Sequence, residues 1–105
     1  MEETTPLKIL QESLLGAPII WKGDYPYFIH PISDGIPRME SEVLRATRDL
    51  IVASVDWNKI DLIVSVEAMG LPLLAAVGDA TGKPTVVIRK RSYGMEGEVR
   101  VDVST

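Results

Sequence analysis

Cysteine is absent from this chain of 105 residues. No disulfide and no thiolate metal site can form, and nothing points to an oxidising compartment. Histidine is scarce: His30 stands alone, and a metal site built on one imidazole is a poor prospect. No apolar run reaches the length that spans a bilayer. The first residues, MEETTPLK, are acidic where a secretory signal would be basic, so the expected address is the cytoplasm. A basic excess is lacking too. Eleven Lys and Arg stand against fifteen Asp and Glu, a formal charge of −4. That argues against general nucleic-acid binding, which needs a basic surface to neutralise phosphates. With 46% apolar and 25% charged residues, the chain is one small domain with a modest core. One local feature runs against its acidity, the cluster RKR at 89–91.

The chain carries no repeat and no low-complexity tract. Thr5-Pro6 is a helix start, a capping hydroxyl followed by a proline in the first turn. Leu7, Leu10, Leu14 and Leu15 follow at helical spacing, and Gly16 with Pro18 ends the run. Two short strands are expected at 19–22 and 27–29, around the punctuating GDYP. HPISDGIPR reads as loop. A second helix is expected from Ser41 to about Val55, with Val43, Leu44, Leu50, Ile51 and Val55 inward and Glu42, Arg45, Arg48 and Asp49 toward water. Residues 62–66 are a nearly continuous apolar, β-branched run, the pattern of a parallel strand covered on both faces. Pro72 falls in the first turn of a third helix that Gly82 stops, and residues 85–88 are again strand-like. This is a β-α-β unit, and its strands are expected to be parallel. After Tyr93 a loop or ribbon is expected, with strand alternation at 99–103.

In such a unit both strands point their carboxyl ends to one edge of the sheet, where ligands bind. Two features fall there. EAMG, residues 67–70, precedes a helix whose first N–H groups lack helical partners and carry the positive end of its dipole. Gly70 permits close approach to the backbone and unusual backbone angles. RKR, 89–91, ends the neighbouring strand. Together they outline a site for phosphate or pyrophosphate, with Lys90 a point charge and Arg89 and Arg91 bidentate forks. Singly, either is ordinary: a glycine often makes only a turn, and a short charge run is often only a solvated strand end. Convergence on one edge, a single helix apart, gives them weight. Glu67 could orient a basic neighbour, contact a ribose hydroxyl or be a solvated turn acid.

DLIVSVEAMGLPLLAAVGDATGKPTVVIRKR resembles the type I phosphoribosyltransferases, most closely their archaeal hypoxanthine/guanine and adenine branch. There a strand, an acidic-small-x-Gly loop, a helix and a strand ending in Arg-Lys-Arg or similar occur in this order. YFIHPISDGIP, 27–37, resembles that branch's base-binding hood, and GEV, 97–99, the start of its flexible catalytic loop. The resemblance implies an α/β, Rossmann-like partial parallel sheet with an N-terminal hood. It implies segments 1–39 for the N-terminal helix and hood, 40–91 for an αβαβ core, and 92–105 for a flexible loop or ribbon. It further implies that Ala68, Met69 and Gly70 hold pyrophosphate through their backbone, beside Glu67. Arg89, Lys90 and Arg91 would meet the pyrophosphate of phosphoribosyl pyrophosphate. Phe28 would stack on the purine, and Ile29 would touch it through its backbone. Many adenine enzymes carry Arg where Met69 stands, so more of the anion's charge falls here on RKR. The implied reaction joins a purine to ribose 5-phosphate and releases pyrophosphate, usually with Mg²⁺ bridging substrate oxygens. No protein ligand for the metal and no catalytic residue is identified. A homodimer is implied.

The family's element of two adjacent acids followed by a Thr-Gly-Gly-Thr loop has no counterpart. VDVST, 101–105, offers one acid and no glycine loop. The chain therefore reads as the front half of a longer enzyme, expected to be inactive alone. The alternative is a non-catalytic nucleotide-sensing or dimerising module. Elsewhere, His30 could be a general base but lacks an orienting partner in sequence. Trp21 and Trp57 read as packing residues. Ser65 and Ser104 have no neighbouring base.

Overall fold

A computed structural model describes residues 5–36 and 38–103. Residues 1–4, Pro37, Ser104 and Thr105 lie outside the described residues, and with them the end of VDVST. Helix α1 spans Pro6–Leu15. The Thr5 hydroxyl accepts the Lys8 N–H at 3.2 Å, Pro6 occupies the first turn, and Gly16 closes the end. Strands β1 (Ile19–Lys22) and β2 (Tyr25–Phe28) form an antiparallel hairpin in which Ile19 faces Phe28 and Lys22 faces Tyr25. The second strand begins two residues earlier than its apolar pattern suggests. Only Gly23 and Asp24 separate the strands, and a two-residue turn pins the register.

HPISDGIPR, expected to be loop, contains a one-turn helix, α2 (Pro31–Asp34). The His30 side chain caps it, Pro31 opens it and Gly35 ends it. A proline before and a glycine after are boundary signals of a helix as well as of a loop. Helix α3 runs Ser41–Ser54 and buries Ala46, with Val43, Leu44, Thr47, Leu50 and Ile51 half-buried around it. A 3₁₀ turn at Trp57–Lys59 follows, and the Asp56 carboxylate accepts its Asn58 N–H at 3.2 Å. Trp57 packs as expected, its indole N–H donating to the Val52 carbonyl at 2.9 Å. Trp21 does not: it is 64% exposed on the hairpin, where no second layer covers it among the described residues.

Strands β3 (Ile63–Val66) and β4 (Thr85–Ile88) are parallel, joined by α4 (Leu71–Thr81). Gly82 ends α4 in the left-handed region at φ 71°, a conformation glycine adopts without strain. Helix α1 packs on α3, α3 on α4, and α4 on the sheet. The core is thin: Ile32, Ala46, Leu74 and Val77 are its buried apolar side chains.

Cover on both faces of β3 is not found among the described residues. Ile63, Ser65 and Val87 are half-buried, whereas Leu62, Val64, Val66, Val86 and Ile88 remain 45–50% exposed on the pair. The alternation follows from the pleat: successive side chains point to opposite faces, and α4 is the described helix that packs on this pair of strands. The strand expected at 99–103 is likewise not formed, and Val99, Val101 and Val103 are exposed with no strand beside them among the described residues. The radius of gyration, 16.4 Å, exceeds the roughly 13 Å of a compact chain this long, as an open slab requires. No helix among the described residues is long and apolar enough to cross a membrane.

Candidate functional site: the rim where two parallel strands end

The register places Val66 beside Ile88, and the ladder runs one step further, the Glu67 N–H donating to the Ile88 carbonyl at 3.1 Å. Beyond it β3 turns into the corner 67–70 and β4 into 89–91. Parallel pairing alone thus brings EAMG and RKR to one rim.

Glu67 ties the two together. One carboxylate oxygen accepts the Lys90 N–H at 2.5 Å, and the other accepts from Arg89 Nη1 at 3.2 Å. Glu67 thus contacts both Arg89 and the backbone of Lys90. The Lys90 N–H is the largest cause holding the Glu67 carboxyl below the ordinary carboxylate range; Arg89 adds to it and desolvation opposes it. The three cations are therefore not equivalent. Arg89 is ion-paired with Glu67. Arg91 and Arg89 both lie over the Tyr93 ring, at 5.7 and 6.0 Å from its centroid. Lys90 is exposed. Tyr93 escapes a reading by charge alone; the spacing of one residue between each of Arg89, Arg91 and Tyr93 is the signal that could have found it.

The glycine has a different reason from the one its sequence context suggests. Gly70 sits at φ −80°, ψ −12°, ordinary right-handed backbone. What it supplies is space: a Cβ there would lie 1.9 Å from Ser65 Oγ and 3.1 Å from the Val66 carbonyl oxygen. The Glu67–Ala68 peptide is cis. The end of α4 also offers fewer donors than a full first turn. Leu71 donates its N–H to the Ala68 carbonyl at 3.2 Å, and Pro72 has none to give. Met69 projects into solvent at 62% exposure.

The residues assigned to a base lie on the hairpin and just beyond it. No hydrogen bond or ring contact joins Phe28 or Ile29 to the rim among the described residues. Phe28 is exposed and stands edge-on to the His30 ring, 6.4 Å between centroids. Ile29 donates its N–H to the Pro18 carbonyl at 2.8 Å, so a backbone contact to a purine has to use its carbonyl.

His30 is 5% exposed and is a structural hub. Its Nδ1 accepts the Ile32 N–H at 3.3 Å, so the neutral ring carries its proton on Nε2. Nε2 lies 2.9 Å from Ser13 Oγ and donates to it, while Ser13 donates its own proton to the Leu10 carbonyl at 2.6 Å. No ring nitrogen is left to act as a base. Burial pushes the imidazole pKa below its ordinary value, against a raising influence from Asp34. The segment 93–98 closes on itself as a local turn, the Glu98 N–H donating to the Met95 carbonyl at 3.3 Å. The Glu98 carboxylate accepts N–H groups of Tyr93 at 3.1 Å and Met95 at 3.3 Å. Ser92 first, then these N–H groups, hold its carboxyl below the usual range.

No group of three or more His, Asp or Glu side chains that could hold a metal ion occurs among the described residues. An apolar groove of 310 Å³ lies between α1 and α3, lined by Leu10, Thr47, Leu50, Ile51, Ser54 and Val55. None of the rim residues lines it, and the Thr47 and Ser54 hydroxyls are its polar side-chain groups.

A parallel β-α-β unit with helices packed on it is an α/β fold, and the chain's relatives imply that it is of the phosphoribosyltransferase type. No family model matches the chain. Curated relatives do. A hypoxanthine/guanine phosphoribosyltransferase of Aciduliprofundum boonei is 50% identical over 99 residues, 94% of this chain and 54% of its own length. One from Ferroglobus placidus is 48% identical over 99 residues, 94% of this chain and 52% of its length. An HGPRTase-like protein 1 of Haloquadratum walsbyi is 50% identical over 96 residues, 91% and 51%. The chain is thus homologous, over nearly all its length, to part of a hypoxanthine/guanine phosphoribosyltransferase, and it spans about half the length of the curated relatives it matches.

Proposed function

We propose that the chain supplies the pyrophosphate-binding side of a purine phosphoribosyltransferase, in which phosphoribosyl pyrophosphate and hypoxanthine or guanine yield a nucleotide and pyrophosphate. The observation that carries this reading is the meeting of 67–70 and 89–91 on one rim, in a chain about 50% identical to enzymes of that name. Negative charge develops on the departing pyrophosphate, so cations and N–H groups fixed at that spot act most strongly in the transition state. Lys90 and Arg91 are the assigned cations, the backbone of Ala68, Met69 and Gly70 completes the cradle, and Glu67 braces it. Phe28 stacks on the base, and Ile29 offers its carbonyl to it. Mg²⁺ accompanies the substrate in this reading, and no residue here is assigned to it. The same reading places the chain in the cytoplasm, as a homodimer.

Calorimetric titration with phosphoribosyl pyrophosphate tests it. Lys90→Ala should weaken binding at least about ten-fold, equivalent to about 1.4 kcal/mol. Equal affinity of the variant and the unaltered chain would remove Lys90 from the site. The 105 residues alone should show no measurable purine transfer, because they carry no segment assigned to the ribose 5-phosphate; ordinary turnover would refute that division of labour. The rival reading, a nucleotide-sensing or dimerising module, requires nucleotide binding with no turnover even when the remaining half of the relatives' length is supplied as a second polypeptide.

A further inference from the structure

We infer that Glu67 is the positioning residue of this anion site: it braces the chain after β4 so that Lys90 is held against the corner 67–70, and it keeps Arg89 from serving as a ligand. The inference rests on the proposed anion site and adds to it a division of labour within RKR. Arg89 and Lys90 follow the last residue of β4 and are paired with no strand residue among the described residues. What fixes them is the carboxylate of the residue that follows β3, with one oxygen on the Lys90 N–H and the other on the Arg89 guanidinium. The Glu67 side chain is 22% exposed and that of Arg89 is 40%, so the brace is the more sheltered partner.

A carboxylate beside an anion site looks counterproductive. By Coulomb's law alone, its removal should strengthen anion binding. A positioning role predicts the opposite sign, and that difference separates the two. Inorganic pyrophosphate is the probe, titrated calorimetrically into the whole chain. Glu67→Ala should bind it at least about ten-fold more weakly despite the lost negative charge, the scale expected when one ligand's placement fails. Glu67→Met, which keeps the stem without an acceptor, should do the same and covers the case in which the alanine variant folds poorly. Glu67→Gln keeps a carbonyl for the Lys90 N–H and should stay within about three-fold of the unaltered chain.

The cycle with Lys90 is the sharper arm. In a Lys90→Ala background, Glu67→Met should cause no further loss, because what Glu67 positions is already gone. A merely structural role would instead give additive losses. Pyrophosphate affinity equal to or above that of the unaltered chain in Glu67→Met overturns the inference and leaves the anion site standing. No heat from pyrophosphate with the unaltered chain overturns both, whereas binding by the unaltered chain that is lost in Glu67→Gln overturns the inference alone.

Discussion

Gly70→Ala should lower the melting temperature by about 5–15 °C and abolish detectable pyrophosphate binding. The new Cβ would lie 1.9 Å from Ser65 Oγ, 3.1 Å from the Val66 carbonyl oxygen and 3.3 Å from Ser65 Cβ. The hydroxyl could rotate away; the carbonyl and the Cβ belong to β3 and cannot move without disturbing the strand. Overpacking of this kind costs about 1–3 kcal/mol. In a domain of about 100 residues each kcal/mol shifts the melting temperature by roughly 4–8 °C. Function should suffer more than stability, because relief comes most easily by pushing out the corner itself, the loop that carries Ala68 and Met69. The double variant Gly70→Ala with Ser65→Ala removes the closest contact and should recover about half of the lost thermal stability. Circular dichroism melts of the unaltered chain and the two variants read this directly. If alanine at 70 leaves the melt and the titration unchanged, the corner is looser than its geometry indicates.

His30→Ala should cost about 2–4 kcal/mol, since it deletes a buried ring and leaves the Ile32 N–H without its acceptor. The ring joins two elements far apart in sequence: Ser13 on α1 and the first turn of α2. His30→Asn can restore a cap acceptor but cannot span to Ser13, so it should fall between the alanine variant and the unaltered chain. The pH dependence follows from the depressed imidazole pKa. Above about 6.5, the ordinary histidine value, the ring is neutral both folded and unfolded and stability is flat with respect to it. Below that value the unfolded chain takes up a proton that the folded one resists, so stability falls as pH drops toward the folded pKa. Asp34 faces the same turn and moderates the effect. Urea denaturation at pH 7.5 and 5.5 should show this loss in the unaltered chain and a smaller one in His30→Asn. Identical losses would assign the acid sensitivity to carboxylates instead.

Both results concern residues whose type was visible in sequence but whose reason was not. A glycine between a strand and a helix announces a tight corner, and backbone freedom is the natural explanation. The actual constraint is the side chain of Ser65, five residues earlier, turned into the space a Cβ would fill. Nothing in local spacing reveals such a contact. His30 has no partner within helical or strand spacing that would give it a role; Ser13 reaches it only because α1 packs on α3 beside α2. HPISDGIPR shows the converse error. Its prolines and glycine were legible, but they serve equally as loop residues and as the two ends of a single helical turn. The exposed faces of β3 and β4 show a third kind: an apolar strand pattern states that both faces want cover, not which elements provide it.

By itself the sequence determined the order of α1, the hairpin, α3, β3, α4 and β4, though not the single turn of α2 between them, together with the parallel sense of β3 and β4 and the arrival of EAMG and RKR at one rim. Each follows from local periodicity, capping residues and the short crossover, which act over a few neighbouring residues. Only the tertiary structure decided how the rim is wired: Arg89 withdrawn into a pair with Glu67, Lys90 held through its backbone, and His30 sealed as a donor to Ser13. Hydrogen bonds and close contacts depend on distances of a few ångströms between residues about 20 apart in the chain, and those distances are set by packing.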